Sequence, residues 1–348
     1  MHNGIDLIVD KSQIGTMFLY MFCLSVYSVH VFGDNFSFLD LVDKAVLLEC
    51  RHFIPRLSYE HQKGERGRIG VFGGSEEYTS GPYFGAMASL RTGADMVYIF
   101  CASQAAIPIK SYSPDFMVLP CLDSDNALDL IKPWLERIHG ILIGPGLGRN
   151  KKIIQNIIKI IELLKEDDDG GIPIVLDADA FYILYSHPQL LQGYPNQVYL
   201  TPNEAEFKQL ASVILQIKTV DAIDPHEHLR TLAEKLGPKV TILLKGKIDR
   251  IAHGDLVTCN NMRGSPRRSG GQGDLLAGCL TALVVWLESA EFWRPQVHLT
   301  HPQLVSYAAS AIIKLANRLA YRDHGRSLLA SDVLAKIHQA FNLLFNEN

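Results

Sequence analysis

The sequence predicts an α/β fold in which a mostly parallel sheet is covered by helices on both faces. From Arg68 onward, short unbroken apolar runs of β type recur, each ending in glycine, proline or a polar cluster and followed by helical periodicity. Strands that read as continuous apolar runs are buried on both faces, and their alternation with helices marks a parallel sheet. The polar and glycine-rich motifs fall directly after the strands, where an open parallel sheet binds its ligands. With 348 residues, 47% hydrophobic and 20% charged, the chain can bury a sizeable core without staples.

Residues 1 to about 55 read as an extension, and 56–348 as the catalytic domain. Between Ser12 and Gly33 there is no Asp, Glu, Lys or Arg, which raises a signal peptide or an anchor. The flanks argue against both: Asp6 and Asp10 stand beside Lys11, no A-x-A-like site follows, and Ser, Tyr and His dilute the second half. A mitochondrial transit peptide is disfavoured because the first arginine is Arg51. A cytoplasmic or mitochondrial protein is expected, with a secretory or anchored form left open and no stable membrane association.

The strands expected are Ile69–Phe72, Met96–Phe100, Phe116–Leu119, Ile141–Ile143, Ile174–Leu176, Val198–Leu200 and Val240–Leu244. Ile153, Ile154, Ile157, Ile158, Ile161 and Leu164 share one face of a helix that stops near the acidic run 166–171, read as a solvated loop. Ile251–His253 and Leu256–Thr258 around Gly254-Asp255 predict an antiparallel hairpin.

Each strand hands over to a motif that has two readings. Gly73-Gly74-Ser75 and Gly144-Pro145-Gly146-Leu147-Gly148 suit either ligand loops or plain strand-to-helix turns. Asp177 and Asp179 suit ligand contacts or helix caps. Asn203, Glu204 and Glu206 offer groups for ribose hydroxyls, amides or a hydrated metal ion, with a capping box at Thr201 as the structural alternative. Lys245, at a strand end beside Gly246, can reach a phosphate.

The chain is organised around Arg263–Asp274. Gly270, Gly271 and Gly273 let successive N–H groups face one concavity, and the apolar run after Asp274 opens a helix, which makes an anion cradle at a helix N-terminus. Arg263, Arg267 and Arg268 add charge suited to phosphate oxygens, and Asp274 is placed as a base against the acceptor. The alternative is a glycine turn capped by Asp274.

Other chemistries find little support. The net charge of −4, without a basic stripe, disfavours a nucleic-acid surface. The six cysteines are scattered, without C-x-x-C pairs, and read as reduced core residues. His226 with His228 and His298 with His301 lack metal-ligand spacing, and with His139, His187 and His253 they read as surface or turn residues. No metal site is assigned to protein side chains. No serine has a G-x-S-x-G context.

Taken together and in order, Gly70–Tyr78, Gly81-Pro82-Tyr83, Ala88–Ala94, Gly144–Gly148, Leu176–Ala180, Thr201–Phe207, Lys245-Gly246, Gly270–Asp274 and Leu328–Val333 resemble the eukaryotic ATP-dependent NAD(P)H-hydrate dehydratases. The resemblance spans about residues 58–345. It implies a ribokinase-like three-layer sandwich and repair of (6S)-NADHX and (6S)-NADPHX with ATP as co-substrate and Mg²⁺. It further implies that Lys245, Gly246, Lys247, Ile248 and Asp249, with Gly264, Ser265, Pro266, Arg267, Arg268, Ser269, Gly270, Gly271, Gln272 and Gly273, contact ATP. Gly146, Asn203, Glu204, Ala205, Glu206, Phe207, Lys208, Gln209 and Asp274 would contact the hydrated cofactor, with Asp274 as the base. The bacterial pattern has histidine at Asn203 and threonine at Gln272; both departures match the eukaryotic branch, which favours ATP over ADP. A small-molecule kinase of the same fold is the alternative enzyme, and a nucleotide-binding protein without turnover conflicts with Asp274 and Lys245. Whether subunits form a homo-oligomer is left open.

Overall fold

The computed structural model describes residues 41–166 and 170–345. The apolar segment 12–33 and part of the acidic run, residues 167–169, lie outside the described residues. The expected runs form β1 (Arg68–Phe72), β2 (Met96–Cys101), β3 (Met117–Pro120), β4 (Gly140–Ile143), β5 (Ile174–Leu176), β6 (Val198–Leu200) and β7 (Val240–Leu244). These seven pair in parallel, and the expected hairpin, β8 (Asp249–His253) with β9 (Leu256–Asn260), adds antiparallel to β7.

The strand order is β3-β2-β1-β4-β5-β6-β7-β8-β9. The chain winds outward from β1 to β3 and then returns to β4 on the other side of β1. The carboxyl ends of β1 and β4 therefore flank the point where the winding reverses, the place where open sheets leave a crevice. β4 to β6 are buried at every position, whereas β3, at the edge, leaves Met117 exposed.

The helices are α1 (Leu41–Cys50), α2 (Ser80–Thr92), α3 (Ala106–Tyr112), α4 (Ala127–Leu135), α5 (Lys151–Lys165), α6 (Ala180–Ser186), α7 (Glu204–Ile214), α8 (Pro225–Leu236), α9 (Gln272–Ser289), α10 (His301–His324) and α11 (Ala330–Phe345). Right-handed crossovers put α2 and α3 on one face and α4 to α8 on the other. α9, α10 and α11 join α2 on the first face.

The buried face of α5 is Ile153, Asn156, Ile157, Ile160, Ile161 and Leu164, with Ile154 and Ile158 only half-buried beside it. Asn156 sits inside because its amide donates to the Leu122 and Ser124 carbonyls at 2.8 and 2.9 Å. The expected extension is not all separate from the domain. Val46, Leu47, Cys50 and Phe53 are buried, and α1 packs on α10 and α11. The Tyr307 hydroxyl donates to Asp43 across that contact.

Every residue of α9 from Leu275 to Trp286 is buried, so this helix is apolar all round and enclosed by its neighbours. Its closest approach is to α2. A Cβ on Gly278 would lie 2.0 Å from the Gly85 carbonyl oxygen, so only glycine lets the two backbones meet there.

Candidate active site

The carboxyl ends of β1, β4, β5, β6 and β7 supply the floor of the site. The loops after β1 and β4 cross in contact: the Gly74 N–H donates to the Gly146 carbonyl at 3.1 Å. After β5, Asp177 is buried and accepts from the Thr201 hydroxyl at 2.8 Å and the Lys245 ammonium at 2.6 Å. Asp179 accepts from the Gly148 N–H at 2.9 Å. Neither aspartate caps a helix with its side chain, so the capping alternative fails for both. The capping box does exist, but at Asn203 and Glu206 rather than Thr201. The Glu206 N–H donates to Asn203 Oδ1 at 2.9 Å, and the Asn203 N–H donates to Glu206 Oε2 at 2.8 Å.

α9 brings the roof down onto this floor. Gly271, its N-cap, has φ 88°, a left-handed conformation that suits glycine, and a Cβ there would press on Phe84 and Ala330 at 2.9 Å. Two residues in, the apolar helix carries Asp274 into the partly buried space above Asp177 and Lys245. Burial first, then the Asp177, Asp179 and Glu206 carboxylates, push the Asp274 carboxyl up to about 8, against the opposing pull of Lys245. Glu206 is raised for the same first reason, burial, with Lys245 opposing. Burial works against the Lys245 ammonium, yet Asp177, Glu206 and Asp274 together hold its pKa above the ordinary lysine value.

A cavity of about 520 Å³ opens beside this cluster. Lys245, Gly246, Lys247, Asp249, Gly264, Ser265, Pro266, Arg268, Gln272 and Gly273 line it, as does Arg263. The Asp249 carboxylate is itself tied up: it accepts from the Gly246 N–H at 2.7 Å and the Ser310 hydroxyl at 2.6 Å. Ile248 lines a neighbouring cavity instead. Arg267, Ser269, Gly270 and Gly271 do not line the first cavity. Gln272 Nε2 donates to Ser269 Oγ at 2.9 Å and thereby shapes the loop.

Four lining residues escaped the sequence reading: Leu276, Ile313, Lys314 and Asn317. Asn317 Oδ1 accepts from the Ser265 N–H at 2.7 Å, and Lys314 Nζ donates to the Lys247 carbonyl at 3.0 Å. Thus α10 clamps two of the loops that line the cavity. The local signal is a lysine and an asparagine three positions apart in a mostly apolar stretch of helix.

Of the residues expected at the hydrated cofactor, Glu206 and Asp274 share the field of Asp177, Asp179 and Lys245, and Gly146 lies in the β4 loop against Gly74. Asn203 is used as the cap of α7. Glu204 pairs with Lys208 at 2.9 Å, and both line the neighbouring cavity of about 610 Å³. Ala205 and Gln209 are exposed, while the Phe207 side chain is wholly buried in the core and meets no solvent. Among the described residues no His, Cys, Asp and Glu group of three or more could hold a metal ion. His253 departs from the surface reading: it lies half-buried in β8, its Nδ1 2.9 Å from Thr241 Oγ1. Cys50, Cys101, Cys121 and Cys279 are buried and free as expected, but Cys259 is exposed.

The NAD(P)H-hydrate dehydratase family model matches residues 69–339. A human ATP-dependent (S)-NAD(P)H-hydrate dehydratase is 42% identical over 297 residues, covering 85% of this chain and 83% of its own. The zebrafish (Danio rerio) protein of that name is 40% identical, with 85% and 87% covered. A ribokinase-like protein of Enterococcus faecalis superposes with TM-score 0.66 at 21% identity, over 86% of this chain and 94% of that one. A Bacillus subtilis ADP/ATP-dependent NAD(P)H-hydrate dehydratase, co-crystallised with ATP and Mg²⁺, gives 0.60 at 22%, over 85% and 97%. These two establish the ribokinase-like fold. Among the described residues no helix is long and apolar enough to cross a membrane. With the family model spanning most of its length and relatives about two-fifths identical, the chain belongs to the NAD(P)H-hydrate dehydratase family.

Proposed function

We propose that this chain uses ATP to dehydrate (6S)-NADHX and (6S)-NADPHX to NADH and NADPH, releasing ADP and phosphate. One observation carries the reading. Asp274, a carboxyl raised to about 8 among Asp177, Asp179, Glu206 and Lys245, directly follows Gln272 and Gly273, which line the cationic cavity.

Hydroxide leaves a saturated ring carbon poorly. In its ionised form Asp274 takes the proton of the ring hydroxyl while that oxygen attacks the γ-phosphorus and ADP departs. The ring C–O bond then breaks, phosphate leaves with the oxygen, and the neighbouring ring carbon gives up a proton. A base whose pKa lies near the working pH suits the first transfer. Gly273, at the N-terminus of α9, lines the cavity and offers its N–H to the transferring phosphoryl, and Lys247, Arg263 and Arg268 line it for the remaining phosphates. Lys245, locked to Asp177 and beneath Gly273, keeps a positive charge under the reacting centre.

Asp177, Asp179, Glu206 and Asp274 outnumber Lys245. This oxygen-only set, without three side chains converging on a point, fits Mg²⁺, which keeps its waters and is held largely through phosphates. Asp179 and Glu206 are the side chains that would hold it through water. Bound there, the ion neutralises charge on the ATP phosphates. Free cysteines fit a reducing compartment, cytosol or mitochondrial matrix.

The test is incubation with Mg-ATP and hydrated NADPH while dihydronicotinamide absorbance and ADP are followed together. One-for-one recovery is expected, with Asp274→Asn losing about 10²–10⁴-fold in kcat but still binding ATP. ADP release with a stable phosphorylated product would indicate a kinase, and near-normal turnover by the variant would remove Asp274 as the base.

A further inference from the structure

Arg149 follows the glycine loop of β4, three strands along the sheet edge from β7, whose Lys245 lines the ATP cavity. Along the sheet edge the order is β4, which leads to Arg149, then β5 with Asp177, then β6, then β7 with Lys245. Three strand spacings, roughly 14 Å, separate the first from the last. The guanidinium is exposed, stands over the Tyr182 ring at 4.9 Å, and has no carboxylate within ion-pair distance among the described residues. Stacking fixes the plane of the guanidinium and leaves its N–H edge open, the arrangement suited to gripping a phosphate with two hydrogen bonds.

The neighbouring residue supplies a second observation. The Ser75 hydroxyl, from the loop after β1, is buried and has no hydrogen-bond partner in the protein. It lies 2.8 Å from where a Cβ on Gly148 would stand. A buried hydroxyl without a partner carries a desolvation cost that a ligand oxygen relieves. Gly148, whose N–H donates to Asp179, packs against Ser75 and directly precedes Arg149 in the chain.

We infer that Arg149, with Ser75, forms a phosphate subsite for the hydrated dinucleotide, separate from the arginines that serve ATP. The inference rests on the dehydratase reading. It gives the hydrated dinucleotide a cation after β4, apart from Lys247, Arg263 and Arg268 in the cavity beyond β7, so that the two ligands' phosphates need not meet. Tyr182 is a positioning residue that holds the guanidinium plane.

Steady-state kinetics of Arg149→Ala, Arg149→Lys and Tyr182→Ala with NADHX, NADPHX and ATP test it. Arg149→Ala is expected to raise KM for the hydrated dinucleotide about 10- to 100-fold, with KM for ATP within twofold. Arg149→Lys recovers part of the loss, and Tyr182→Ala falls between. The salt dependence of the dinucleotide KM is flattened in Arg149→Ala, which loss of packing alone does not do. An equal loss on both substrates identifies the diphosphate, and a loss confined to NADPHX identifies its extra phosphate. An unchanged dinucleotide KM, or an equal rise for ATP, overturns the inference. Failure of the wild-type chain to turn over either hydrate would instead overturn the dehydratase reading.

Discussion

Lys245 donates to Asp177 at 2.6 Å directly beneath Gly273, so close that a Cβ on that glycine would lie 3.2 Å from the ammonium. The two residues are 68 positions apart, just past the ends of β7 and β5, and their contact joins the sheet floor to the glycine roof. A paired buried charge is tolerable; a lone one is not.

Removing one partner is therefore worse than removing both. Lys245→Met is expected to lower stability by about 2–4 kcal/mol, discounted because the lysine keeps some exposure, while adding Asp177→Asn recovers part of that. Urea unfolding of the two singles and the double checks it; strict additivity would mean the contact carries no coupling.

The Asp274 carboxyl, raised to about 8, binds a proton in the folded state over a range where the unfolded chain has released it. Its contribution to stability thus falls as pH rises from about 4 to about 8. Asp274→Asn is expected to be more stable than wild type at pH 9, by about 1–2 kcal/mol or a few degrees of Tm. That advantage shrinks towards pH 5. Melting curves across this range decide it, and a pH-independent difference would refute the shift.

Activity should move the opposite way. Because the ionised form accepts the proton, kcat/KM of the free enzyme is expected to rise through an inflection near pH 8. A profile already flat from pH 6 would show the carboxyl ionised well below that.

Asn317 holds the Ser265 N–H from the opposite wall of the ATP cavity. Asn317→Ala should raise KM for ATP about 5- to 10-fold, one lost hydrogen bond, and leave the dinucleotide KM within twofold. Equal changes in both would make Asn317 a general structural residue.

The sheet was readable because its strands are buried on both faces and so appear as unbroken apolar runs. The β3 edge follows the same composition while half its surface meets solvent. In the site, loops adjacent in sequence to strand ends were readable by position. Lys314 and Asn317 were not, because they enter from a helix 40 and more residues downstream. Thr201 and Asn203 both suit a cap by residue type, and only the start of α7 distinguishes them. Phe207 belongs to the family motif but faces the core, since helix residues two apart are turned roughly 200° from one another, which leaves Ala205 exposed and Phe207 buried.

Gly278 lies four residues after Asp274, one turn down the same side of α9, where that helix meets Gly85. The proposed proton acceptor is thus anchored to a helix segment buried from Leu275 to Trp286, and ligands must come to it. Mutations far inside the protein that tilt this helix should consequently register first as slowed chemistry, before any loss of folded protein is seen.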